Sequence, residues 1–141
     1  MDEFETPPKQ YLESVTAAFS NSGDPIDIGC NETDVDKYRA LAREINPDKP
    51  ITIVSGWTWW DLELNAEQLE AVISMGGLPV VLKITHVITD DRKRFDGDTW
   101  VRTSLLKQFH SSTVFETQNT FYILVGTGRR KLVPLSVLGM F

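Results

Sequence analysis

The chain has little of what defines several large protein classes. Its 141 residues include one cysteine, Cys30, and two histidines, which allows no internal disulfide and no zinc-site spacing and fits a reducing compartment. The longest run without a charged side chain is 12 residues, whereas a membrane span needs roughly 18 apolar residues. No apolar run follows the acidic first residues, so we expect no secretory signal. These absences predict a cytoplasmic protein without a metal ion or cofactor.

The composition is that of a folded domain. Hydrophobic residues make up 41% of the chain and charged residues 24%, which is typical of globular proteins and differs from disordered ones. The length is the common size of one domain. We therefore expect a single domain over residues 1–141, with a helical part over 1–50 and a strand-rich part over 51–141.

Charge is distributed unevenly along the chain, whose formal net charge is −6. Residues 1–50 carry eleven acids and five bases, residues 51–77 carry four acids and no base, and residues 78–141 carry nine bases and five acids. We therefore expect an acidic helical layer against a basic sheet. Such a polarity would orient a partner during its approach.

Three segments have the apolar periodicity of amphipathic helices. The first begins at Thr6 and Pro7, an N-cap residue followed by a residue favoured in the first helical position. Its apolar stripe consists of Tyr11, Val15 and Phe19, with Leu12 and Ala18 beside them. Glycine at position 23 follows the stripe and predicts its end.

The second helix is predicted over residues 34–45, with Thr33 as its N-cap and Asn46 and Pro47 at its end. Its predicted buried face consists of Val35, Tyr38, Leu41, Ala42 and Ile45. The segment is therefore expected to pack against the sheet.

The third helix is predicted to begin at Asn65, because Gln68 three residues later completes a capping box. Two consecutive glycines, Gly76 and Gly77, predict its end. We expect three of its apolar side chains to face inward: Leu69, Val72 and Ile73.

The remaining sequence predicts strands. β-branched and aromatic residues dominate residues 51–60, and residues 80–89 alternate with period two. Further strand patterns occupy residues 99–106, 114–117, 120–125 and 131–133. Gly126 and Gly128 predict a hairpin loop between the last two strands. The order of elements predicts an α+β fold in which N-terminal helices pack on an antiparallel meander of about five to six strands. Consecutive short strands of this kind can also curl into a half-barrel.

The residues that catalyse reactions do not form a recognisable pattern. His86 lies on the apolar face of its predicted strand, which indicates a core or rim residue, and His110 is predicted to lie in a loop. A triad of Ser104, His86 and Asp90 lacks the nucleophile-elbow sequence. The glycines around Gly126 lack the phosphate-loop pattern. We therefore predict no catalytic residue and a protein that is not an enzyme.

The most unusual local feature is a tryptophan cluster. Trp57, Trp59 and Trp60 lie within four residues, and strand alternation places the first two on one face and the third on the other. Either helices cover both faces, or at least one indole is partly exposed. Exposed aromatic residues concentrate binding energy at protein interfaces. The residues predicted to bind a partner are Trp57, Trp59, Trp60, Trp100 and Arg102, with Arg129 and Arg130 as electrostatic guides.

Three segments together resemble a known protein family. They are Trp57-x-Trp59-x-Asp-Leu-Glu-Leu64, then Trp100-Val-Arg-Thr-Ser104 preceded by Gly97-Asp98, and Phe115-Glu-Thr-x-Asn-Thr-x-Tyr122 continuing to Gly126-x-Gly128-x-Arg-Lys131. Over roughly residues 55–135 the chain is similar to a family of small uncharacterised bacterial proteins, a domain of unknown function often carried by prophages and mobile elements. The resemblance implies an accessory protein that binds a host or phage protein, and it implies no catalytic residue.

These observations lead to one main hypothesis and two alternatives. The main hypothesis is a non-enzymatic cytoplasmic protein-interaction module, carried by a mobile element as an inhibitor or modulator of a host protein. One alternative is a single-stranded nucleic-acid-binding protein whose basic sheet presents aromatic residues for stacking; these are Trp100, Phe109, Phe115, Phe121 and Tyr122. The other is an immunity- or antitoxin-type protein that blocks a basic partner through Glu63, Glu67 and Glu70.

Overall fold

The computed structural model of the chain describes residues 23–92 and 100–136. The helix predicted after Thr6 and Pro7 lies outside these residues. The strands are β1 (Asp24–Ile26), β2 (Ile51–Glu63), β3 (Val80–Asp90), β4 (Val101–Arg102), β5 (Gln108–His110), β6 (Val114–Glu116), β7 (Phe121–Leu124) and β8 (Gly128–Pro134). The helices are a short 3-10 helix (Glu32–Asp34), α1 (Val35–Ile45) and α2 (Ala66–Ser74). Among the described helices, none has the length and apolar character needed to cross a bilayer.

All eight strands form one curled sheet, and β2 lies at its centre. The strand order is β1-β8-β2-β7-β6-β5, while β3 pairs with the opposite edge of β2 and β4 pairs with β3. The α+β prediction is confirmed. Two pairings of β2 are parallel, however. Its first residues pair with β7 in parallel, and its last residues pair with β8 in parallel. The sheet is therefore mixed.

The hairpin predicted at Gly126 and Gly128 is wrong. β7 and β8 do not pair with each other; they lie one after the other along the same edge of β2, both parallel to it. Gly126 has φ +77° and its N–H donates to Cys30 O at 2.8 Å. Glycine adopts a positive φ without steric cost. This bend at Gly126 separates β7 from β8, which both run parallel to β2.

The curl of the sheet follows from irregularities in β2. Its antiparallel register with β3 shifts between Ile53 and Val54, and Gly56 has φ +60°. A bulge of this kind increases the local twist of a strand. As a result β2 contributes Ile51 and Ile53 to one cluster of buried residues and Trp57 to a second cluster.

Helix α1 forms where it was predicted, with two differences. The residue before it is Asp34 rather than Thr33, because a turn of 3-10 helix precedes it. Ala42 is fully buried, and Val35, Tyr38 and Leu41 pack against the cluster around Phe121. Ile45 is exposed, because it belongs to the last turn and the chain leaves the sheet at Asn46.

Helix α2 begins with the predicted capping box, in which Asn65 Oδ1 accepts from Gln68 N at 2.8 Å and Gln68 Oε1 accepts from Asn65 N at 3.0 Å. The prediction that its apolar side chains face inward is wrong. No residue of α2 is buried; Val72 is half-buried, and Leu69 and Ile73 are exposed.

The strand predicted over residues 99–106 is much shorter, and a strand was missed. Thr103 Oγ1 accepts from Leu82 N at 2.9 Å, which replaces a backbone ladder bond and ends β4 after Arg102. The missed strand is β5, which contains His110. A turn with positive φ at Ser111 and Ser112 joins it to β6.

Gly128 is required by the tryptophan beneath it. A Cβ atom at position 128 would lie 2.3–2.5 Å from three ring atoms of Trp57. That ring is buried, and its Nε1 donates to Val125 O at 3.2 Å. A side chain at position 128 can therefore be accommodated only if the ring or the strand moves.

We expect Gly128→Ala to lower the free energy of unfolding by about 1–3 kcal/mol, the usual cost of overpacking a core. Urea unfolding followed by tryptophan fluorescence measures it. The control is Gly76→Ala, where φ is +80° and no atom lies within 4 Å of the added Cβ, so that only backbone strain is added. Equal losses for the two variants would contradict the argument.

Candidate functional site

The expectation that an indole of the tryptophan cluster is exposed is wrong. Trp57, Trp59 and Trp60 are 2%, 8% and 0% exposed. The predicted alternation is confirmed, because Trp57 and Trp59 belong to one buried cluster and Trp60 to another. Trp59 packs edge-on against Phe109 and Phe115, with ring centroids 4.9 and 5.4 Å away.

The reason for this burial is the position of β2. A central strand in a curled sheet has neighbours on both edges and apolar residues over both faces. β3 covers one edge of the tryptophan segment and β8 the other. These three residues, which were predicted to bind a partner, therefore belong to the core, and their indoles are buried. Trp100 is half-buried.

The two arginines proposed as electrostatic guides are bound within the chain. The Arg130 guanidinium donates to both carboxylate oxygens of Asp61, at 2.6 and 3.0 Å, and lies 5.9 Å from the Trp59 ring centroid. The bond to Asp61 raises the pKa of Arg130. Arg129 Nη1 donates to Gly23 O at 3.0 Å. Much of the charge of Arg130 is thus neutralised locally.

The predicted separation of acidic and basic layers is also reduced by pairing. Acidic Asp61 of the first half pairs with basic Arg130 of the second. The opposite combination occurs too, since Arg43 of α1 pairs with Asp91 at 3.1 Å. Because β2 belongs to the acidic half of the sequence and lies at the centre of the sheet, the two halves do not form separate layers.

The residues considered for catalysis do not meet. Thr103 N donates to Leu82 O, which places Ser104 near residue 82, whereas His86 lies four residues further along β3, about 13 Å at the rise of a strand. His86 is exposed, contrary to its predicted place in the core or rim. Asp90 Oδ1 accepts from Thr52 Oγ1 at 2.7 Å.

His110 takes part in a polar cluster that the sequence did not reveal. Glu116 Oε1 lies 2.8 Å from His110 Nε2, and its Oε2 accepts from Lys49 Nζ at 2.5 Å. Lys49 also donates to Thr117 O at 3.0 Å. The register of β5 with β6 brings His110 diagonally opposite Glu116. Lys49 arrives from the loop after α1, far away in sequence.

Hydrogen bonding determines the ionisation of this buried carboxyl group. Burial raises the pKa of Glu116, and the hydrogen bonds from Lys49 and His110, with the positive charges of Lys49 and Lys107, outweigh that effect and lower it. Glu116 is therefore a carboxylate in the folded protein. The cluster joins β5, β6 and the end of α1, and its geometry is that of a structural ion pair.

The aromatic residues proposed to stack on nucleic-acid bases are mostly inside the protein. Phe115 and Phe121 are 0% exposed and Tyr122 is buried. Phe109 and Trp100 are half-buried. An exposed aromatic sheet face is the feature on which the nucleic-acid hypothesis rests, so the described part of the sheet gives that hypothesis no support.

Four of the seven large apolar residues that are exposed in the described part of the chain lie on α2 and the segment after it, and the other three are Ile45, Ile88 and Leu132. Leu69, Ile73, Met75 and Leu78 are 38%, 57%, 71% and 43% exposed. We call these four residues the α2 surface. Scattered apolar residues are normal on a protein, whereas a contiguous exposed group marks an interaction site. Leu69 and Ile73 are four residues apart and therefore lie on the same side of α2. The amphipathic spacing predicted this side of the helix, but as a face that points inward.

A groove of about 430 Å³ lies beside the α2 surface. Met75 and Leu105 supply its apolar wall, and Arg102 and Lys107 its positive charge, with Ser104 between them in sequence. Of the described residues that line it, none is a carboxylate. Arg102, the one predicted binding residue on this groove, donates from Nη1 to Thr103 O at 3.2 Å, and burial lowers its pKa.

The acidic residues of the antitoxin hypothesis lie on the surface. Glu67 and Glu70 are on α2, and Glu63 is the last residue of β2; all three are exposed. Within residues 23–92 and 100–136, no group of three or more metal-ligating side chains comes together.

Removing the carboxylate of Glu116 leaves the Lys49 ammonium buried without its partner. We expect Glu116→Gln to lower the free energy of unfolding by about 3–5 kcal/mol, the usual cost of breaking a buried ion pair. The double variant Lys49→Met/Glu116→Gln leaves no buried charge from this pair. Chemical denaturation should show that it loses less than Glu116→Gln alone, and an equal or larger loss would contradict the ion-pair account.

The same carboxylate makes stability depend on pH. Because its pKa is lower when folded, its contribution is present above the unfolded value, about 4.3, and is lost as pH falls through the folded value. The difference in unfolding free energy between the wild type and Glu116→Gln should therefore be constant near neutral pH and shrink below about pH 4. A constant difference down to pH 2 would refute this.

The chain was compared with known families and proteins. Its residues 27–139 match a family described as Domain of unknown function (DUF6957). No curated protein and no solved structure matches the chain. The match includes α1, the α2 surface and strands β2 to β8 but not β1, and it extends beyond the 55–135 segment of the resemblance. The chain belongs to the DUF6957 family.

Proposed function

We propose that this protein is a non-catalytic protein-interaction module and that it binds its partner through the α2 surface and the adjoining groove. The observation that carries the proposal is the exposure of apolar side chains on a short helix and in the segment that follows it. Ile73 and Met75 are more than half exposed. Burying one such side chain stabilises a protein by roughly 1.5–3 kcal/mol relative to leaving it in water. A partner that covers these side chains would gain part of this free energy on binding.

The groove adds polar character to this apolar surface. Arg102 makes no ion pair among the described residues. Lys107 is half exposed, and its nearest carboxylate, Glu116 at 4.0 Å, already binds Lys49. Protein interfaces commonly combine an apolar centre with charged residues at the rim that orient the partner. The groove thus favours a partner whose interface carries carboxylates.

The biological setting follows from the resemblance described above. A small protein of a mobile element commonly acts by binding another protein, and the proposed role is therefore a cytoplasmic inhibitor or modulator of a host protein in a bacterium. In this setting the α2 surface replaces the tryptophan cluster as the binding site, because the indoles are buried.

The experiment compares three immobilised forms of the protein, namely the wild type, Ile73→Asp and Ile88→Asp. Ile88 is also exposed, but it lies eight residues from the start of β3 at Val80, about 26 Å from the α2 end of that strand. Proteins captured from the cells that make this chain are identified by mass spectrometry, then purified and titrated against each form.

We expect at least one protein, which can be a second copy of the chain itself, to bind the wild type and Ile88→Asp equally. It should bind Ile73→Asp at least about tenfold more weakly, since a charge in an apolar interface centre costs more than 1.4 kcal/mol. If every protein that binds the wild type binds Ile73→Asp equally well, the α2 surface is not the binding site and the proposal fails.

A further inference from the structure

We infer that the groove beside the α2 surface binds a small organic phosphate, that is, a phosphate monoester carried by an apolar group. The volume of the groove is about 430 Å³, which lies within the range of small-molecule sites. The inference goes beyond the proposed interaction function and does not depend on the binding of a partner through Ile73. It follows from the surroundings of two cations that line the groove, Arg102 and Lys107.

Arg102 is the half-buried cation of the groove. Its Nη1 donates to the backbone oxygen of the next residue, Thr103, at 3.2 Å. Its Nε is buried and has no hydrogen-bond partner among the described residues. Buried polar groups almost always have such a partner, so an exception needs an explanation. The guanidinium of Arg102 therefore has donor capacity that the described part of the chain does not use.

A comparison with Arg130 shows what Arg102 lacks. The hydrogen bond to Asp61 raises the pKa of Arg130, whereas burial lowers the pKa of Arg102. The cross-strand neighbour of Arg102 is Lys83, so the register of β3 with β4 places a base rather than an acid beside it. Removing a charge from water costs free energy unless an opposite charge accompanies it. An anion in the groove would supply that charge.

Lys107 is the exposed cation of the same groove. Its side chain is 50% exposed, and its Nζ lies 4.0 Å from Glu116 Oε2. The same Glu116 oxygen accepts from Lys49, and the other carboxylate oxygen lies 2.8 Å from His110 Nε2. One carboxylate is therefore shared between two lysines, and the groove retains positive charge.

Two positive charges together with neutral donors favour a dianion. A phosphate monoester carries close to two negative charges above its second pKa, about 6, and can neutralise both cations, whereas a single carboxylate neutralises one. Arginine donates pairs of hydrogen bonds to phosphate oxygens. The hydroxyl of Ser104 and the amide of Gln118 also line the groove and can donate to the remaining oxygens. Among the described lining residues there is no carboxylate that would repel the ligand.

The apolar wall of the groove selects the group to which the phosphate is attached. Met75 and Leu105 form this wall. Gly76 lies next to Met75 and also lines the groove, and no atom lies within 4 Å of the place that a Cβ of Gly76 would take. Because burial of apolar surface stabilises a complex, an aromatic or aliphatic group on the phosphate adds affinity that inorganic phosphate lacks.

The test is an NMR titration of the isotope-labelled full chain at low salt and about pH 8, where the phosphate is a dianion. The probe is phenyl phosphate. Inorganic phosphate, which lacks the ring, and benzoate, which has the ring and one charge, are the comparison compounds. The backbone amides of Gly77, Ser104 and Lys107 should shift and saturate, with a Kd for phenyl phosphate at least about fivefold below that of either comparison compound. No saturation up to about 10 mM, or equal binding of either comparison compound, overturns the inference.

Variants test whether the two cations hold the phosphate. Lys107→Gln, at an exposed position, should bind phenyl phosphate at least about fivefold more weakly. The matched control is Lys37→Gln, which removes the same charge from an exposed position on α1 that does not line the groove, and it should bind like the wild type. Arg102→Gln should lose at least about tenfold if circular dichroism shows that it is folded. A Lys107→Gln variant that binds like the wild type, or an equal loss in Lys37→Gln, overturns the site.

A phosphorylated side chain of a protein carries the same chemistry. A short peptide with one phosphotyrosine flanked by glycine and serine therefore joins the titration. It should bind no more tightly than phenyl phosphate, because the contacts that carry the inference are all made by the phosphate and the ring. Binding of the peptide at least about tenfold more tightly would assign the phosphate to a protein partner and overturn the small ligand.

Discussion

The structure depends on the pairing of one central strand along both of its edges. β2 pairs with β3 along one edge, and with β7 and then β8 along the other. This arrangement buries Trp57, Trp59 and Trp60 from two faces at once and explains why Gly128 must lack a side chain. It also interleaves the acidic half of the sequence with the basic half, so that Asp61 and Arg130 meet in an ion pair. The tryptophan-rich segment, the most unusual local feature of the sequence, is therefore the centre of the core.

Of the two described α-helices, α1 packs on the core and α2 is largely exposed. α1 covers the cluster around Phe121 and Ile123 and is linked to β6 through the Lys49–Glu116 ion pair in the loop that follows it. α2 covers no part of the core, although its capping box gives it a well-defined start. Local capping can maintain the first turn of a helix that tertiary packing scarcely supports. A helix that is capped locally but has few tertiary contacts keeps its side chains available to another molecule. Met75, the exposed apolar residue at its C-cap, lines a positively charged groove.

Much of the local structure could be predicted from residue patterns. The start of α2 at Asn65 and the end of α1 at Asn46 follow from capping chemistry, which involves only neighbouring residues. The length of β3 follows from period-two alternation.

Prediction failed where the outcome depended on residues distant in sequence. β5 was missed because its pairing with β6 depends on a turn formed by two serines. The face of α2 predicted to point inward is exposed or half-buried, since none of its residues belongs to a buried cluster of the described residues. The three clustered tryptophans predicted to bind a partner are buried, and Arg102 of that prediction lies on the groove beside Met75.

The sequence by itself determined the α+β class, the alternation of the three tryptophans between two faces and most helix boundaries, because these depend on periodicity and on hydrogen bonds between near neighbours. Tertiary structure alone decided which apolar residues are reachable. Whether Trp57 or Ile73 meets solvent depends on which strands lie beside it and on which segments pass over it, and neither is encoded in the periodicity of its own segment. The same holds for charge. Arg130 and Arg102 are both arginines in the basic part of the sequence, and the sequence does not distinguish their surroundings. Tertiary contacts place Arg130 against Asp61, whereas Arg102 lies in a groove whose described lining contains no carboxylate.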